Sequence, residues 1–143
     1  MHSTRAGAIE TPRGFRVGCD IHPVSNVVQS IEVFGDRYLE RVFTRAERAD
    51  CAGLAEVERL TARFAAKEAV LKLLRVPADV AVPWPTIEIV SDAVGAPTVT
   101  LTGHAADLAA EQGITTIELS LSHDGGMAMA FAVGLCEQWE VAA

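Results

Sequence analysis

The sequence predicts an α+β fold, a mainly antiparallel sheet packed around one long helix, and three observations carry that reading. Apolar residues recur at helical spacing from about Ala55 to Leu74, which reads as the major helix. After Pro85 the period drops to two, over Thr86 to Ser91 and again over Pro97 to Leu101. Near the end, Asp124-Gly125-Gly126 separates two strand-like runs, Thr115 to Ser122 and Met127 to Gly134, with a sequence suited to positive φ and hence to a hairpin.

Taken in order, Phe15 to Ile21 is apolar enough to predict a buried strand. Pro23 suits the first turn of a helix from about Val24 to Phe34, and Gly35 supplies its stop. A further helical stretch covers Arg37 to Phe43. Thr44 with Glu47 has the spacing of a capping box, in which each residue satisfies the other's free backbone N–H at the start of a short helix. The major helix ends before Pro77. The strands Thr86 to Ser91 and Pro97 to Leu101 are joined through the turn Asp92 to Gly95, and Gly103 to Gln112 reads as a helix closed by Gly113. No internal repeat and no low-complexity block interrupts this pattern. The organisation expected is a polar, mobile extension over residues 1–14, one domain over 15–136 and a tail over 137–143.

At 143 residues the chain can bury a substantial core as a single domain. Half of its residues are hydrophobic and the mean hydropathy is +0.24, enough to suggest apolar surface shared between subunits. A net charge of -7 excludes a general nucleic-acid binder, which needs a basic footprint. Cys19, Cys51 and Cys136 lie far apart with no metal-type pairing, which points to a reducing compartment. The first sixteen residues lack the apolar core of a signal peptide. The longest apolar tract, about Met127 to Cys136, is too short to cross a bilayer, so a cytosolic protein with no membrane partner is expected.

The major helix carries charge beside its apolar side. Val57, Leu60, Phe64 and Leu71 form one stripe at about 100° per residue, with Glu68 on one border and Lys67 on the other. Half-buried ions are costly unless paired, so the placement calls for a partner. Glu68 and Lys72, four apart, share a face and could form a helix-surface pair worth only about 0.3–0.5 kcal/mol. Asp20 ends an apolar strand, where a carboxylate ordinarily caps a helix. It could instead meet Glu68, 48 positions away, and two carboxylates completed by water and phosphate are a common way to hold Mg²⁺. Lys72 could be a solvated lysine or a point charge on a phosphate. His123, after a strand and before a tight turn, could be satisfied structurally or could donate to a phosphate. Asp124 before two glycines is most simply a turn residue, though it could accept a proton from a hydroxyl.

Three segments together change these odds: Val17-Gly18-Cys19-Asp20-Ile21, the run Phe64-Ala65-Ala66-Lys67-Glu68-Ala69-Val70-Leu71-Lys72, and Ser120-Leu121-Ser122-His123-Asp124. Between them, in order, stand Tyr38 to Thr44 (YLERVFT), Trp84 to Val90 (WPTIEIV) and Gly95-Ala96-Pro97. From about Val17 to Gly134 the chain resembles the holo-acyl-carrier-protein synthase family, the small 4′-phosphopantetheinyl transferases, and so implies that family's fold. The resemblance implies a reaction in which the serine hydroxyl of an apo carrier protein attacks the β-phosphate of coenzyme A. Phosphopantetheine moves to the serine and adenosine 3′,5′-bisphosphate leaves.

It makes Asp20 and Glu68 the metal ligands and sets Lys72 and His123 on the coenzyme A phosphates. Arg63, Gly95 and Pro97 join them in the coenzyme A site. The attacking hydroxyl needs a base, and a metal-bound water, Glu68 and Asp124 remain open. Similar proteins are homotrimers with coenzyme A at subunit interfaces. Their carriers are acidic, which makes Arg37 and Arg41 candidates for docking and leaves Arg45 and Arg48 as a solvated extension of that face. Four departures stand out: Arg16 in place of a glycine, His22-Pro23 after the aspartate, Asn26 where relatives carry a docking arginine, and Ala96 where a basic residue is usual. A coenzyme A- or carrier-binding homologue without turnover, and a Mg²⁺-dependent phosphohydrolase, are the competing readings. The carrier's pathway, fatty-acid, polyketide or peptide synthesis, is left open.

Overall fold

The computed structural model describes residues 14–136; the expected extension over 1–13 and the tail over 137–143 lie outside the described residues. Gly14 is buried and its carbonyl accepts from the Cys136 N–H at 2.9 Å, so it belongs with the domain, one residue before the expected boundary.

Strand β1 (Phe15–Pro23) is followed by helices α1 (Val24–Phe34), α2 (Asp36–Val42), α3 (Arg45–Cys51) and α4 (Glu56–Leu73). A 3-10 turn at Trp84–Thr86 leads into β2 (Ile87–Ser91) and β3 (Pro97–Leu101), then α5 (Gly103–Glu111), β4 (Ile114–Asp124) and β5 (Met127–Cys136). The strands form two antiparallel sheets, one in the order β1-β5-β4 and one of β2-β3, with α4 packed across both. The α+β expectation holds, with the sheet divided in two. Gly125 and Gly126 at φ 56° and 77° close the β4–β5 hairpin, the geometry a two-residue loop demands. Gly126 also accepts from the Val24 N–H at 2.9 Å, tying that turn to the start of α1.

The register separates the faces of the three-stranded sheet. Asp20, Ala130 and Leu121 share one row of the inner face, and His22, Ala128 and His123 share the next. The outer face carries Val17, Ile21, Met129, Phe131 and Leu135, all exposed in the single chain. The expected burial of β1 is therefore true only of its inner side, because α4 covers that side and no described element covers the other.

Helix α4 differs from its predicted stripe. Leu60 of that stripe is buried, but Val57, Phe64 and Leu71 are only partly covered, and the buried positions include Ala62, Ala65, Ala66 and Ala69. The reason is close approach: a Cβ added to Gly18 would lie 1.9 Å from the Ala69 carbonyl oxygen, so strand and helix touch backbone to backbone. Lys67 is fully buried. Its ammonium meets Glu47 Oε1 at 2.8 Å and donates to the carbonyls of Trp84 and Ile87. Glu47 also completes the predicted capping box through Oε2, accepting from the Thr44 N–H, and accepts from the Ile89 N–H at 2.7 Å. One carboxylate thus joins α3, α4 and β2. Burial pulls the Lys67 pKa down, and the charge of Glu47 and its hydrogen bond pull it back up.

Candidate active site

Gly18 brings β1 onto α4, and two residues later on the same face the contact delivers Asp20 to the helix. Lys72, one turn beyond Glu68, reaches Asp20 Oδ1 at 3.0 Å and the Cys19 carbonyl at 2.9 Å. The anticipated Glu68–Lys72 helix pair is thus replaced by a bridge to the strand. Asp20 Oδ2 is buried and has no hydrogen-bond partner. Burial raises the Glu68 pKa, the negative charge of Asp20 raises it further, and Lys72 offsets part of the rise. Two carboxylates near each other, one with an orphaned oxygen, share a single lysine. Among the described residues no cluster of three metal-ligating side chains forms, so water and substrate oxygens would have to supply the other positions around a cation.

His22, two residues along the same face, stacks at a tilt on Phe64 with centroids 4.6 Å apart. Phe64 in turn meets Trp84 at 5.1 Å. Burial lowers the His22 pKa against an opposing pull from Asp20. The departure from the family pattern at this position thus places an aromatic wall beside Asp20.

A second group forms around a cavity of about 210 Å³, which gathers Arg63, Gly95, Pro97 and His123, with Arg59 and Ser91. Arg63 is almost wholly buried, and its Nη2 meets Asp50 Oδ2 at 2.6 Å and Ser91 Oγ at 3.0 Å. Burial pushes the Asp50 carboxyl up, but the Ser91 N–H and Arg63 outweigh it and hold the pKa below the usual range. Lys72 is absent from this cavity; it lines another, of about 430 Å³, with Glu68 and Arg75. The predicted coenzyme A residues therefore fall into two groups within one chain.

Alternation along β4 turns Asp124 to the face opposite His123 and Asp20, where it is exposed at the strand end, so one chain does not bring it to Glu68. Arg37 and Arg41 line a third cavity of about 270 Å³ with Phe34 and Tyr38. Arg48 pairs with Asp36 across an exposed 3.4 Å, and Asn26 is exposed on α1. Sequence reasoning missed Asp50, Ser91 and Arg59. The last had a signal: Arg59 and Arg63 are four apart on a predicted helix.

A family model described as the 4′-phosphopantetheinyl transferase superfamily matches residues 16–134, nearly everything described above. The chain belongs to that superfamily. Among its relatives it is 45% identical over 120 residues to the holo-acyl-carrier-protein synthase of Desulforudis audaxviator, covering 83% of this chain and 91% of the relative. The crystal structure of the Neisseria meningitidis holo-acyl-carrier-protein synthase is similar at a TM-score of 0.74 and 31% identity, over 83% of this chain and 96% of that one. The Helicobacter pylori holo-acyl-carrier-protein synthase, solved in complex with coenzyme A, has a TM-score of 0.73 at 27% identity, over 82% and 98%. Family membership, the α+β fold and the transferase class thus rest on the whole described chain, well beyond its three short motifs.

Proposed function

We propose that this protein transfers 4′-phosphopantetheine from coenzyme A to a serine hydroxyl of an apo acyl carrier protein, and that Asp20, Glu68 and Lys72 carry the reaction. The observation behind it is the meeting of these three side chains where β1 and α4 touch, in a chain of this superfamily. The orphaned, buried Asp20 Oδ2 suits a hard divalent cation, and Glu68 beside it supplies a second carboxylate. Asp20 and Glu68 would hold a magnesium ion, whose positive charge would offset the negative charge developing on the departing bisphosphate.

Lys72 has three N–H donors and uses two, so the third is available to a phosphate oxygen without breaking its hold on Asp20. The side chain is 55% exposed, which lets it follow the substrate. Glu68, beside Asp20 at the reacting end of α4, is one candidate for taking the serine proton. Asp124 enters only if a neighbouring copy presents it. That neighbour has a place to bind, since Val17, Ile21, Met129, Phe131 and Leu135 leave one sheet face apolar and uncovered, which supports the expected homotrimer. No described helix is long and apolar enough to cross a membrane. Arg37 and Arg41 beside Phe34 and Tyr38 offer an acidic carrier charge and apolar contact together.

The test is mass spectrometry of a panel of apo carriers with coenzyme A and Mg²⁺, together with release of adenosine 3′,5′-bisphosphate. Carrier-dependent release with a matching mass gain on the carrier supports the proposal. Release without carrier would make the protein a phosphohydrolase, and binding without release a non-catalytic homologue. Asp20→Ala and Glu68→Ala should each lower transfer by about a thousandfold or more, as expected when charge stabilisation of several kcal/mol is lost. Turnover within a few-fold of wild type in both would remove these carboxylates from the mechanism.

A further inference from the structure

Helix α4 ends on an arginine where its geometry asks for glycine. The Arg75 N–H donates to the Lys72 carbonyl at 3.1 Å and the Val76 N–H to the Leu71 carbonyl at 3.3 Å, the paired bonds that close a helix through one residue in the left-handed conformation. Arg75 is that residue, at φ 52°. Glycine adopts this conformation freely, whereas any side chain there crowds the backbone and destabilises the fold. The turn cannot relax to relieve the crowding. Leu73 and Leu74 before it are fully buried, Val76 after it packs on the core, and the Gln112 side-chain amide donates to the Leu74 carbonyl at 2.6 Å. A cation does complement the carbonyl end of a helix, but Lys72, in the last turn of α4, already supplies one from an unstrained backbone.

The strained position sets Arg75 in the cavity of about 430 Å³ that Glu68 and Lys72 also line. Lys72 is tied to Asp20 and the Cys19 carbonyl. The Arg75 side chain is exposed and has no ion-pair or hydrogen-bond partner among the described residues, and the rest of the lining is apolar. It is the uncommitted cation of the reaction centre. Resting on the transfer reading above, we propose that Arg75 is a further catalytic residue, which meets the negative charge of the phosphoryl group as that group passes to the carrier serine. In that step the serine oxygen bonds to phosphorus while the bridging bond to the nucleotide breaks. Its electron pair leaves on adenosine 3′,5′-bisphosphate, and the serine proton goes to a base of the site. The phosphorus in transfer keeps two non-bridging oxygens, a pair that the planar guanidinium matches with parallel N–H bonds. With coenzyme alone, water screens the exposed guanidinium. A docked carrier covers the cavity, and the same charge then acts in a drier site, so the effect falls on turnover rather than on coenzyme affinity.

Arg75→Gly separates this role from a structural one, because it removes the charge and the strain together. Its Tm should rise by a few degrees, while kcat falls by about tenfold or more and the Kd for coenzyme A, read by calorimetry, changes by less than about twofold. Arg75→Gln, neutral and still strained, should be as slow as the glycine variant at the wild-type Tm. Arg75→Lys, charged and still strained, should recover part of kcat. A residue that only closes the helix would give a glycine variant more stable and fully active, so kcat within about twofold of wild type overturns the inference. So does a loss shared equally by coenzyme affinity, one confined to the KM for carrier, or one that Arg75→Lys leaves unrelieved. If the wild type modifies no carrier, the transfer reading falls and takes this role with it. If the wild type modifies carrier and Arg75→Gly does so equally well, the Arg75 role falls alone.

Discussion

Helix α4 carries two lysines five residues apart, and each is paired with a carboxylate from another element. Lys67 and Glu47 meet at 2.8 Å with both side chains fully buried, while Lys72 and Asp20 meet at 3.0 Å with the lysine more than half exposed. The bond lengths are nearly equal; the surroundings are not. Lys67 has exchanged water for a carboxylate and two carbonyls, and neither partner can leave without stranding the other in a dry interior. Lys72 keeps water at hand, and Asp20 keeps one oxygen unused. The same ion-pair chemistry therefore serves as a fixed joint in one place and as an exchangeable contact in the other. The joint anchors α3 and β2 to the helix, and the exchangeable pair is where the proposed function would admit a cation and a phosphate.

The largest effect that would break this contrast is on stability. Lys67→Met should destabilise the fold by about 3–5 kcal/mol, because it leaves Glu47 charged and buried. Lys72→Met should cost under about 1 kcal/mol, the range of exposed pairs. Adding Glu47→Gln to Lys67→Met should recover part of the loss, since the lone charge is then gone. Urea unfolding of the four proteins measures all of this. Equal costs for Lys67→Met and Lys72→Met would mean that burial does not distinguish the two pairs.

Next in size is affinity. Lys72→Met should weaken coenzyme A by about tenfold to a hundredfold, the worth of one charge-assisted bond to phosphate, at almost unchanged stability. Calorimetry against the intact coenzyme reads it directly. Unchanged affinity would leave Lys72 as a mere tether for Asp20.

These differences trace the limit of what the sequence reveals. Local rules were enough for α1, whose bounds at Val24 and Phe34 follow from Pro23 and Gly35, and for β3, the Thr44–Glu47 capping box and the glycine hairpin. The family motifs located Asp20, Glu68 and Lys72 before any contact between them was visible. Three things depended on tertiary contacts and stayed hidden. A hydrophobicity stripe points to the largest apolar side chains, yet α4 buries four alanines alongside Leu60, Val70 and Leu73, and at Ala69 Gly18 lets the strand backbone reach the helix backbone. Lys67 called for a partner, but Glu47 already had a local role in the capping box and gave no sign of a second. Arg63 and Arg59 look interchangeable in the sequence until Asp50, 13 positions upstream, is found beside only one of them.

A smaller effect concerns pH. Burial and the charge of Asp20 raise the Glu68 pKa above its unfolded value, so its contribution to stability is fully present below that unfolded value. It is lost as pH rises through the folded pKa, when two carboxylates must share Lys72 alone. Thermal unfolding of metal-free protein should show this slight decline above the ordinary carboxylate range. Mg²⁺ should reverse it, and Glu68→Gln should abolish both the decline and the reversal. A decline that persists in Glu68→Gln would place the titrating group elsewhere.

The smallest expected effects lie on the exposed side of the contrast, at the carrier surface. Arg37 and Arg41 are one turn apart on α2 and frame a cavity with Phe34 and Tyr38, while Asn26 stands on the neighbouring helix where the family resemblance leads one to expect an arginine. With the enzyme at a net charge of -7 and an acidic carrier expected from the family resemblance, encounter should depend on these few local cations, and solvent limits each to under about 1 kcal/mol. Arg37→Ala and Arg41→Ala should therefore raise the KM for carrier by at most about fivefold each and leave the KM for coenzyme A in place. Asn26→Arg should lower the KM for a fatty-acid carrier. Because charges on the rim of an interface act chiefly on association, all three effects should shrink together as ionic strength rises. Carrier kinetics that ignore salt and all three substitutions would move the docking surface away from α1 and α2, and Lys72 would then be the exposed cation of greatest consequence in the enzyme.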